Sequence, residues 1–234
     1  GPDELAVWME RFVTEDGLNL IGGCCGTSTP HIQALDAMLK KLGDPRPAPF
    51  KRTSVWVPSV ASLYGAVPLR QENSYFSIGE RCNANGSKKW RELQAAGDFD
   101  GCVAMGREQV GEGSNALDIC TAFVGRDETA DMLKLLHPMV QQVTAPIMVD
   151  STQLDVVEKA LQVIPGRAII NSINLEDGEH KADALCRLAR RYGAMFVALT
   201  IDEEGMAKTA ERKLEVAKRI HDLCVHRHGM NPGD

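Results

Sequence analysis

The sequence has no run of about 18 apolar residues and no N-terminal charged region followed by an apolar signal core. These absences argue against a membrane-spanning helix and against secretion, so we expect a cytoplasmic protein with no membrane partner. Cysteine is not dense either, because seven cysteines, an odd number, are spread along 234 residues. This is not the disulfide framework of a small secreted domain, and reduced thiols are expected.

The sequence also lacks a stripe of basic residues. Its 26 Lys and Arg residues are scattered among 32 Asp and Glu residues, which gives a formal net charge of −6, and the pI is about 5.6. This balance argues against a nucleic-acid partner. With 44% hydrophobic and 25% charged residues, the composition is that of a globular protein with one large domain or two smaller ones.

The first third of the chain divides into three parts. Residues 4–13 have apolar side chains at helical spacing, and the following "GLNLIGG" predicts a buried strand. A second helix is predicted from about Ser28 to a terminator at Gly43. Residues 44–73 are proline-rich and then apolar but broken by prolines, which predicts a linker with a small irregular or hairpin element.

From Ser74 onward, short apolar runs alternate with helical patterns. The runs are "YFSIGE", "NALDIC", "PIMVDS", "RAIINSI" and "AMFVALTID", and helices are predicted at 88–96, 99–112, 127–143, 153–163, 180–192 and 208–228. Strands that are apolar without polar alternation are typical of a parallel sheet covered on both faces. Pro138 falls inside one helical pattern, so we expect that helix to be kinked or to begin anew there.

An open doubly wound sheet and a closed (β/α)8 barrel both fit this alternation. The G-x-G-x-x-G turn of the open dinucleotide-binding sheet is absent. Most strands end instead in side chains that form directional hydrogen bonds, at Glu80, Asn83, Asp118, Asp150, Ser151, Asn171, Ser172 and Asp202. A barrel brings such ends together on one face, so we predict an α/β barrel. Because a barrel needs eight strands and five are visible, we expect a fragment of one.

Two groups of residues resemble metal ligands. Cys24 and Cys25 lie in the glycine-bounded loop "IGGCCGTSTPHI". They are either small buried hydrophobic residues or two thiolate ligands, and zinc would need further ligands from elsewhere. The segment "HDLCVHRH" places His221, Cys224 and His228 at i, i+3 and i+7 of one helical face. There we favour a covering helix over a metal site.

Asp150 ends the most hydrophobic strand and is followed by Ser151. Its carboxylate either anchors the loop and helix that follow, or accepts both hydrogens of an amidine-like N–H pair on a ligand. Asn171 ends the next strand and can both donate and accept hydrogen bonds. The two side chains are therefore expected to be neighbours.

Six motifs follow one another along nearly the whole chain: "GGCCGTSTPHI", "IGERCNANGSKKW", "LDIC", "IMVDST", "AIINSINLEDGE" and "ALTIDEEGM". In this order they closely resemble the cobalamin-dependent methionine synthases. The resemblance implies that residues 1–43 are the last helix, strand and helix of a homocysteine-binding (β/α)8 barrel. Residues 44–73 would be the inter-domain linker, and residues 74–234 the first five strands of a pterin-binding barrel that takes methyltetrahydrofolate.

The resemblance also assigns roles to residues. Cys24 and Cys25 would give two thiolates to a zinc ion that binds homocysteine, and the third family cysteine would lie upstream of Gly1. Asp150 and Asn171 would contact the pterin, with Asn171 also acting in catalysis near the reacting nitrogen. Further substrate-binding residues come from the first strand, the loop at the barrel mouth and the ring of strand ends: Glu80, Asn83, Gly86, Ser87, Lys88 and Asp118.

Similarity to this family implies a methyltransferase. The barrel would bind 5-methyltetrahydrofolate and pass its methyl group to cob(I)alamin, which a separate cobalamin-binding module of the same protein carries. Onward transfer to zinc-bound homocysteine would give methionine and tetrahydrofolate. Two alternatives stay open. One is another pterin-barrel enzyme, a dihydropteroate synthase or a corrinoid protein methyltransferase, which "GGCCGT" disfavours; the other is an inactive structural fragment.

Overall fold

The computed structural model describes residues 1–43 and 57–233. The chain divides into two compact units, Gly1–Trp56 and Val57–Asp234. In the first unit, helix α1 (Pro2–Thr14) packs against helix α2 (Thr29–Leu42), with Val13, Leu35 and Met38 buried. Helix α2 ends where its terminator was predicted, because Gly43 takes a positive φ of 71° at the C-cap.

The prediction of a buried strand at "GLNLIGG" is wrong. Residues 17–23 form no strand, and the Leu20 side chain is 89% exposed. A strand needs a neighbour to pair its backbone N–H and C=O groups. The described part of this unit contains only α1 and α2, so the expected helix, strand and helix reduce to two packed helices.

The second unit opens with an antiparallel hairpin of β1 (Ser59–Ala61) and β2 (Ala66–Pro68). Val60 is fully buried against Ala116, Met148 and Ile169, which are residues of the main sheet. The first part of the expected linker, 44–56, lies outside the described residues. The hairpin that follows is packed onto the sheet and groups with the second unit.

The main sheet is parallel and has five strands in the order β3-β4-β5-β6-β7. All five predicted strands are confirmed: β3 (Ile78–Gly79), β4 (Ala116–Ile119), β5 (Ile147–Asp150), β6 (Ile169–Ile173) and β7 (Met195–Ala198). Within the described residues the sheet is open, with β3 and β7 at its edges. The architecture is therefore that of an α/β barrel whose sheet is not closed within the described residues.

Helices follow the strands close to the predicted positions: α3 (Lys88–Ala96), α4 (Phe99–Gly111), α5 (Glu128–Gln142), α6 (Leu154–Val163), α7 (Glu179–Tyr192) and α8 (Ala210–His221). Between β7 and α8 lies a small hairpin of β8 (Ile201–Asp202) and β9 (Gly205–Met206). Helix α5 runs unbroken through Pro138, so it does not begin anew there. Burial of Leu135, Leu136 and Met139 offsets the one hydrogen bond that a proline removes.

The alternation of side chains along each strand decides what the inner face of the sheet presents. Leu117, Val149 and Ile170 belong to the core beneath the helices. Their neighbours point the other way, because side chains alternate across a strand. Near the amino ends that inner face is apolar, as at Met148. At the carboxyl ends it is polar, as at Asp150, and this polar end is where a site can form.

Candidate functional site

Four polar side chains from neighbouring strand ends form one hydrogen-bonded group, which we call the polar cluster: Asn83, Asp118, Asp150 and Asn171. The side-chain amide of Asn83 donates to Asp118 Oδ2 and to Asp150 Oδ2, each at 2.7 Å. Asn171 Nδ2 donates to Asp118 Oδ1 at 3.3 Å. The expectation that Asp150 and Asn171 are neighbours is met by the register of β5 and β6, which pairs these two residues directly.

Asn83 is held by its backbone as well as by its side chain. It forms a parallel bridge to Cys120 just beyond the end of β4, and its Oδ1 accepts the backbone N–H of Asn85 at 2.8 Å. With 5% exposure, it has little room to turn. Both hydrogens of its amide are committed to carboxylates, so the orientation of the amide group is fixed.

The electrostatics of the polar cluster are set by two carboxylates, of which Asp118 is buried and Asp150 is half-buried. Burial raises the pKa of Asp118, hydrogen bonds from Asn83 and Asn171 partly oppose the rise, and the nearby charge of Asp150 adds to it. Burial also raises the pKa of Asp150, against the hydrogen bond from Asn83. Burial raises the pKa of Cys120 to about 12, so this thiol stays protonated. Raised carboxylate pKa values in a cleft are a mark of functional sites.

The two carboxylates differ in what they offer a ligand. Asp118 is 4% exposed, and both of its oxygens receive amide hydrogens. Asp150 is half-buried and lies in the wall of a polar cavity together with Asn171, Ser172, Asn174, Lys181 and Gln153. The same cavity is lined by Leu154, Val157 and Leu185 of α6 and α7. Asp150 is therefore the more accessible of the two carboxylates, and Asp118 supports the amides around it.

The other predicted substrate-binding residues lie on the loop that leads into α3. Glu80 is exposed, and its carboxylate lies so close to Gly86 that a Cβ there would be 2.2 Å from Glu80 Oε1. Ser87 caps α3, because its Oγ accepts the N–H of Trp90 at 3.2 Å. Lys88 is exposed, with Nζ 3.7 Å from Glu92. The structure gives Ser87 a role in helix capping and does not place these four residues in the polar cluster.

Asp202 does not join the polar cluster although it also follows a strand. It is 1% exposed and forms ion pairs with Arg212 and Arg219 of α8. Its carboxylate thus ties the β8–β9 hairpin to the next helix. Ser151 likewise turns outward to hydrogen-bond Glu128 at 2.5 Å. The sequence pattern of polar strand ends does not distinguish these supporting contacts from the polar cluster.

Cys24 and Cys25 are exposed neighbours in a turn closed by the Thr27 N–H, which donates to the Cys24 carbonyl at 3.0 Å. Thiolates suit zinc, but a zinc site takes three or four ligands. Within residues 1–43 and 57–233, only one group of three or more metal-binding side chains has its ligand atoms close together. It consists of His221, Asp222 and His226 and does not include the cysteine pair. The two thiols are therefore of the type that zinc binds, but two ligands are too few for a zinc site.

Among the same residues, no helix is long and apolar enough to cross a membrane.

Comparison with known proteins matches two stretches of the chain to family models. Residues 79–234 match the family model for pterin binding enzymes, and residues 1–39 match that for homocysteine S-methyltransferases. The chain is 43% identical over 222 residues to a methionine synthase of Mycobacterium tuberculosis, covering 94% of the chain and 18% of that protein. It is also 43% identical over 233 residues to that of Mycobacterium leprae, covering 98% and 19%. The chain thus spans less than a fifth of the length of these relatives.

Solved structures agree in fold. A 7,8-dihydropteroate synthase of Vibrio fischeri superposes with a TM-score of 0.52 at 15% identity, covering 75% of this chain and 63% of that one. A dihydropteroate synthase of Xanthomonas albilineans bound to 4-aminobenzoic acid gives 0.52 at 17% identity, covering 76% and 64%. At such identities the likeness concerns the fold alone. Because the pterin-binding model covers about two thirds of its length, this chain belongs to the pterin-binding enzyme family.

Proposed function

We propose that this chain binds 5-methyltetrahydrofolate through its pterin ring and positions the methyl group for transfer to cobalamin, as part of a methionine-synthase-type methyltransferase. The observation that carries the proposal is the Asn83 amide held between Asp118 and Asp150 at the carboxyl edge of the sheet. Family membership and 43% identity to two methionine synthases support it.

Recognition of the pterin would depend on Asp150. The ring of a pterin carries adjacent N–H donors in an amidine-like arrangement, which one carboxylate accepts in a bidentate manner. Asp150 lines the polar cavity, and the amide of Asn83 holds one of its oxygens in place. Because the carboxylate must be ionised to accept both hydrogens, the hydrogen bond from Asn83 favours the binding form.

Asn171 would act on the nitrogen that loses its methyl group. Methyl transfer from N5 needs that nitrogen to gain positive character, and the departing amine is best stabilised when it is protonated. The Asn171 amide is anchored through Nδ2 to Asp118, and its carbonyl can accept a hydrogen bond from a protonated nitrogen. An interaction of this kind strengthens as the reaction proceeds and so lowers the barrier more than it tightens binding.

The methyl acceptor would be reduced cobalamin, whose cobalt supplies the nucleophile when that cofactor is carried to the site by another part of the protein. The work left to this chain is to hold the substrate in line and to exclude alternative geometries. The loop Asn83–Lys88 begins inside the polar cluster and ends exposed at the same edge of the sheet. We assign to it the surface that meets the acceptor.

Cys24 and Cys25 form the second part of the proposal. Residues 1–39 match the homocysteine S-methyltransferase model, and the pair would supply two thiolates to a zinc ion that binds homocysteine. The remaining ligand would come from residues outside this chain. Within the described residues the pair does not complete a zinc site by itself.

The proposal is tested by assaying the same protein preparation for two different reactions. A chain extended past Asp234 to close the barrel is given 5-methyltetrahydrofolate with reduced cobalamin, and separately 4-aminobenzoic acid with an activated dihydropterin. We expect tetrahydrofolate in the first reaction and no dihydropteroate in the second. Dihydropteroate formation without demethylation would contradict the proposal and assign the chain to the other activity of the fold.

A further inference from the structure

The end of the last helix changes from α-helical to π-helical winding. Helix α8 ends at His221, and the π-helical segment runs over Asp222–Arg227. In π-helical winding the N–H of each residue bonds to the carbonyl five residues earlier, so residues i and i+5 share a face. His221 and His226 are related in this way, and their ring centroids lie 5.4 Å apart, edge to face.

The same change of winding separates the residues that the sequence pattern groups together. Cys224 turns toward Cys186, with their sulfur atoms 3.6 Å apart. His228 Nε2 lies 2.6 Å from Asp183 Oδ1. The side chains of His221, Cys224 and His228 therefore do not come together as a ligand set. The side chains of His221, Asp222 and His226 do.

We propose that His221, Asp222 and His226 form a binding site for a divalent first-row transition metal, of which zinc is the best match. Asp222 Oδ1 lies 3.3 Å from His221 Nδ1 and 3.6 Å from His226 Nε2, and the three ligand atoms all lie within 4.8 Å of one another. Zinc ligands at about 2.0–2.1 Å in a tetrahedron are about 3.4 Å apart, so an ion fits with small side-chain adjustments.

The chemistry of the ligands selects the metal. Two imidazoles and one carboxylate suit zinc and its neighbours in the first transition row, whereas calcium and magnesium prefer oxygen ligands throughout. All three side chains are exposed, so the fourth position is open to water. Arg227, which follows His226 in the sequence, is engaged elsewhere, because it pairs with Glu179 at 2.9 Å and with Asp183 at 3.4 Å.

The bound ion would link two turns of the helix. His221 also lines an apolar cavity beside the edge strand β7, together with Ile173, Phe196, Ala217, Ile220, Val225 and Met230. Cross-linking His221 to His226 favours the π-helical winding over an α-helical one, since α-helical winding would rotate residues five apart away from each other. The metal therefore stabilises the wall of this cavity.

The test uses the 234-residue chain with Cys24→Ser and Cys25→Ser, so that thiolates at the other end of the chain do not contribute. Zinc is titrated by equilibrium dialysis, and cobalt is titrated by visible absorbance. We expect one ion per chain, and His226→Ala is expected to weaken binding at least tenfold. His137→Ala, which removes an exposed histidine from α5, is the matched control and should leave binding unchanged.

A second measurement needs no further variant. The ring protons of His221 and His226 are followed by NMR as zinc is added, with His137 and His180 as internal references. We expect the first two to shift together at one equivalent of zinc and the references to stay in place. Equal zinc affinity with and without His226→Ala, or shifts spread over all the histidines, would overturn the proposal. Neither result depends on whether the pterin site is assigned correctly.

Discussion

The side-chain amide of Asn83 lies 2.7 Å from the carboxylate of Asp150, 67 residues further along the chain. The same amide lies 2.7 Å from Asp118 on the strand between them. One neutral side chain thus keeps two carboxylates together at the edge of the sheet where a ligand would bind. The stability and the pH response of the polar cluster should depend on this contact.

Asn83→Ala should lower the free energy of unfolding by about 1–3 kcal/mol at pH 7, because it removes one hydrogen-bond donor from the buried Asp118 and one from the half-buried Asp150. Burial raises the pKa of Asp118 and of Asp150, so the folded chain takes up protons where the unfolded chain is still ionised. The ionised pair therefore costs stability at neutral pH, and the cost falls as the pH falls through the raised pKa values.

The loss caused by Asn83→Ala should accordingly be larger at pH 7 than in acid. Urea unfolding at several pH values, with Asn19→Ala as an exposed control, measures it. A loss that is independent of pH would show that Asn83 acts by packing alone.

The contact between the β1–β2 hairpin and the residues just before β6 leads to a second prediction. Gly166 has a φ of +88°, and a Cβ there would lie 2.5 Å from the backbone oxygen of Ala61. Gly125 has a similar φ of +83°, and a Cβ there would meet nothing within 4 Å. Gly125→Ala should cost about 1–2 kcal/mol from the left-handed conformation alone. Gly166→Ala should cost at least about 1 kcal/mol more, since the Ala61–Arg167 bridge must open.

Thermal and urea unfolding of the two alanine variants provide the comparison. An equal loss of unfolding free energy in the two variants would mean that the contact between the hairpin and the start of β6 does not contribute to stability.

Much of the second unit follows from local pattern. Apolar runs such as "IMVD" predict their strands because a strand covered on both faces has no polar alternation, and polar residues at the strand ends point to the site. The pattern alone gave no reason to separate Asp150 from Asp202. That distinction depends on Arg212 and Arg219, which belong to a helix that comes later in the chain.

Two other features depend on context that the local sequence does not contain. The segment around Leu20 is apolar enough for a strand but has no strand beside it among the described residues. The central position of Asn83 follows from distances to two other strands. A signal was present in the adjacent acceptors Asp118 and Asp150, because buried carboxylates require donors.

Zinc binding by the cysteine pair is predicted to require residues beyond this chain. With His226→Ala present to remove the site on the last helix, the 234-residue chain should bind zinc weakly, and a chain extended upstream should bind one ion. Cys24→Ser or Cys25→Ser should abolish that binding, whereas Cys224→Ser, at a half-buried cysteine of the second unit, should not. Zinc content after dialysis against a chelator is the measurement. Tight zinc binding that survives both serine substitutions would refute the assignment.

Asn171→Ala should affect catalysis more than binding. We expect 5-methyltetrahydrofolate to bind with an affinity within a few-fold of the parent, and methyl transfer to exogenous reduced cobalamin to slow by at least about tenfold, a barrier change of about 1.4 kcal/mol. Single-turnover demethylation gives the rate, and fluorescence titration gives the affinity. Asn19→Ala again serves as the control. Parallel losses in rate and affinity would make Asn171 a ground-state contact only.

The most direct test of the pterin site is a titration of 5-methyltetrahydrofolate into Asp150→Asn, in a chain extended past Asp234 to close the barrel. Charge-assisted hydrogen bonds contribute about 1.5–3 kcal/mol each, so the variant should bind at least about tenfold more weakly than the parent. Asp100→Asn, an exposed carboxylate of α4, should bind as the parent does. If calorimetry gives Asp150→Asn the parent's affinity, the pterin does not bind at the polar cluster.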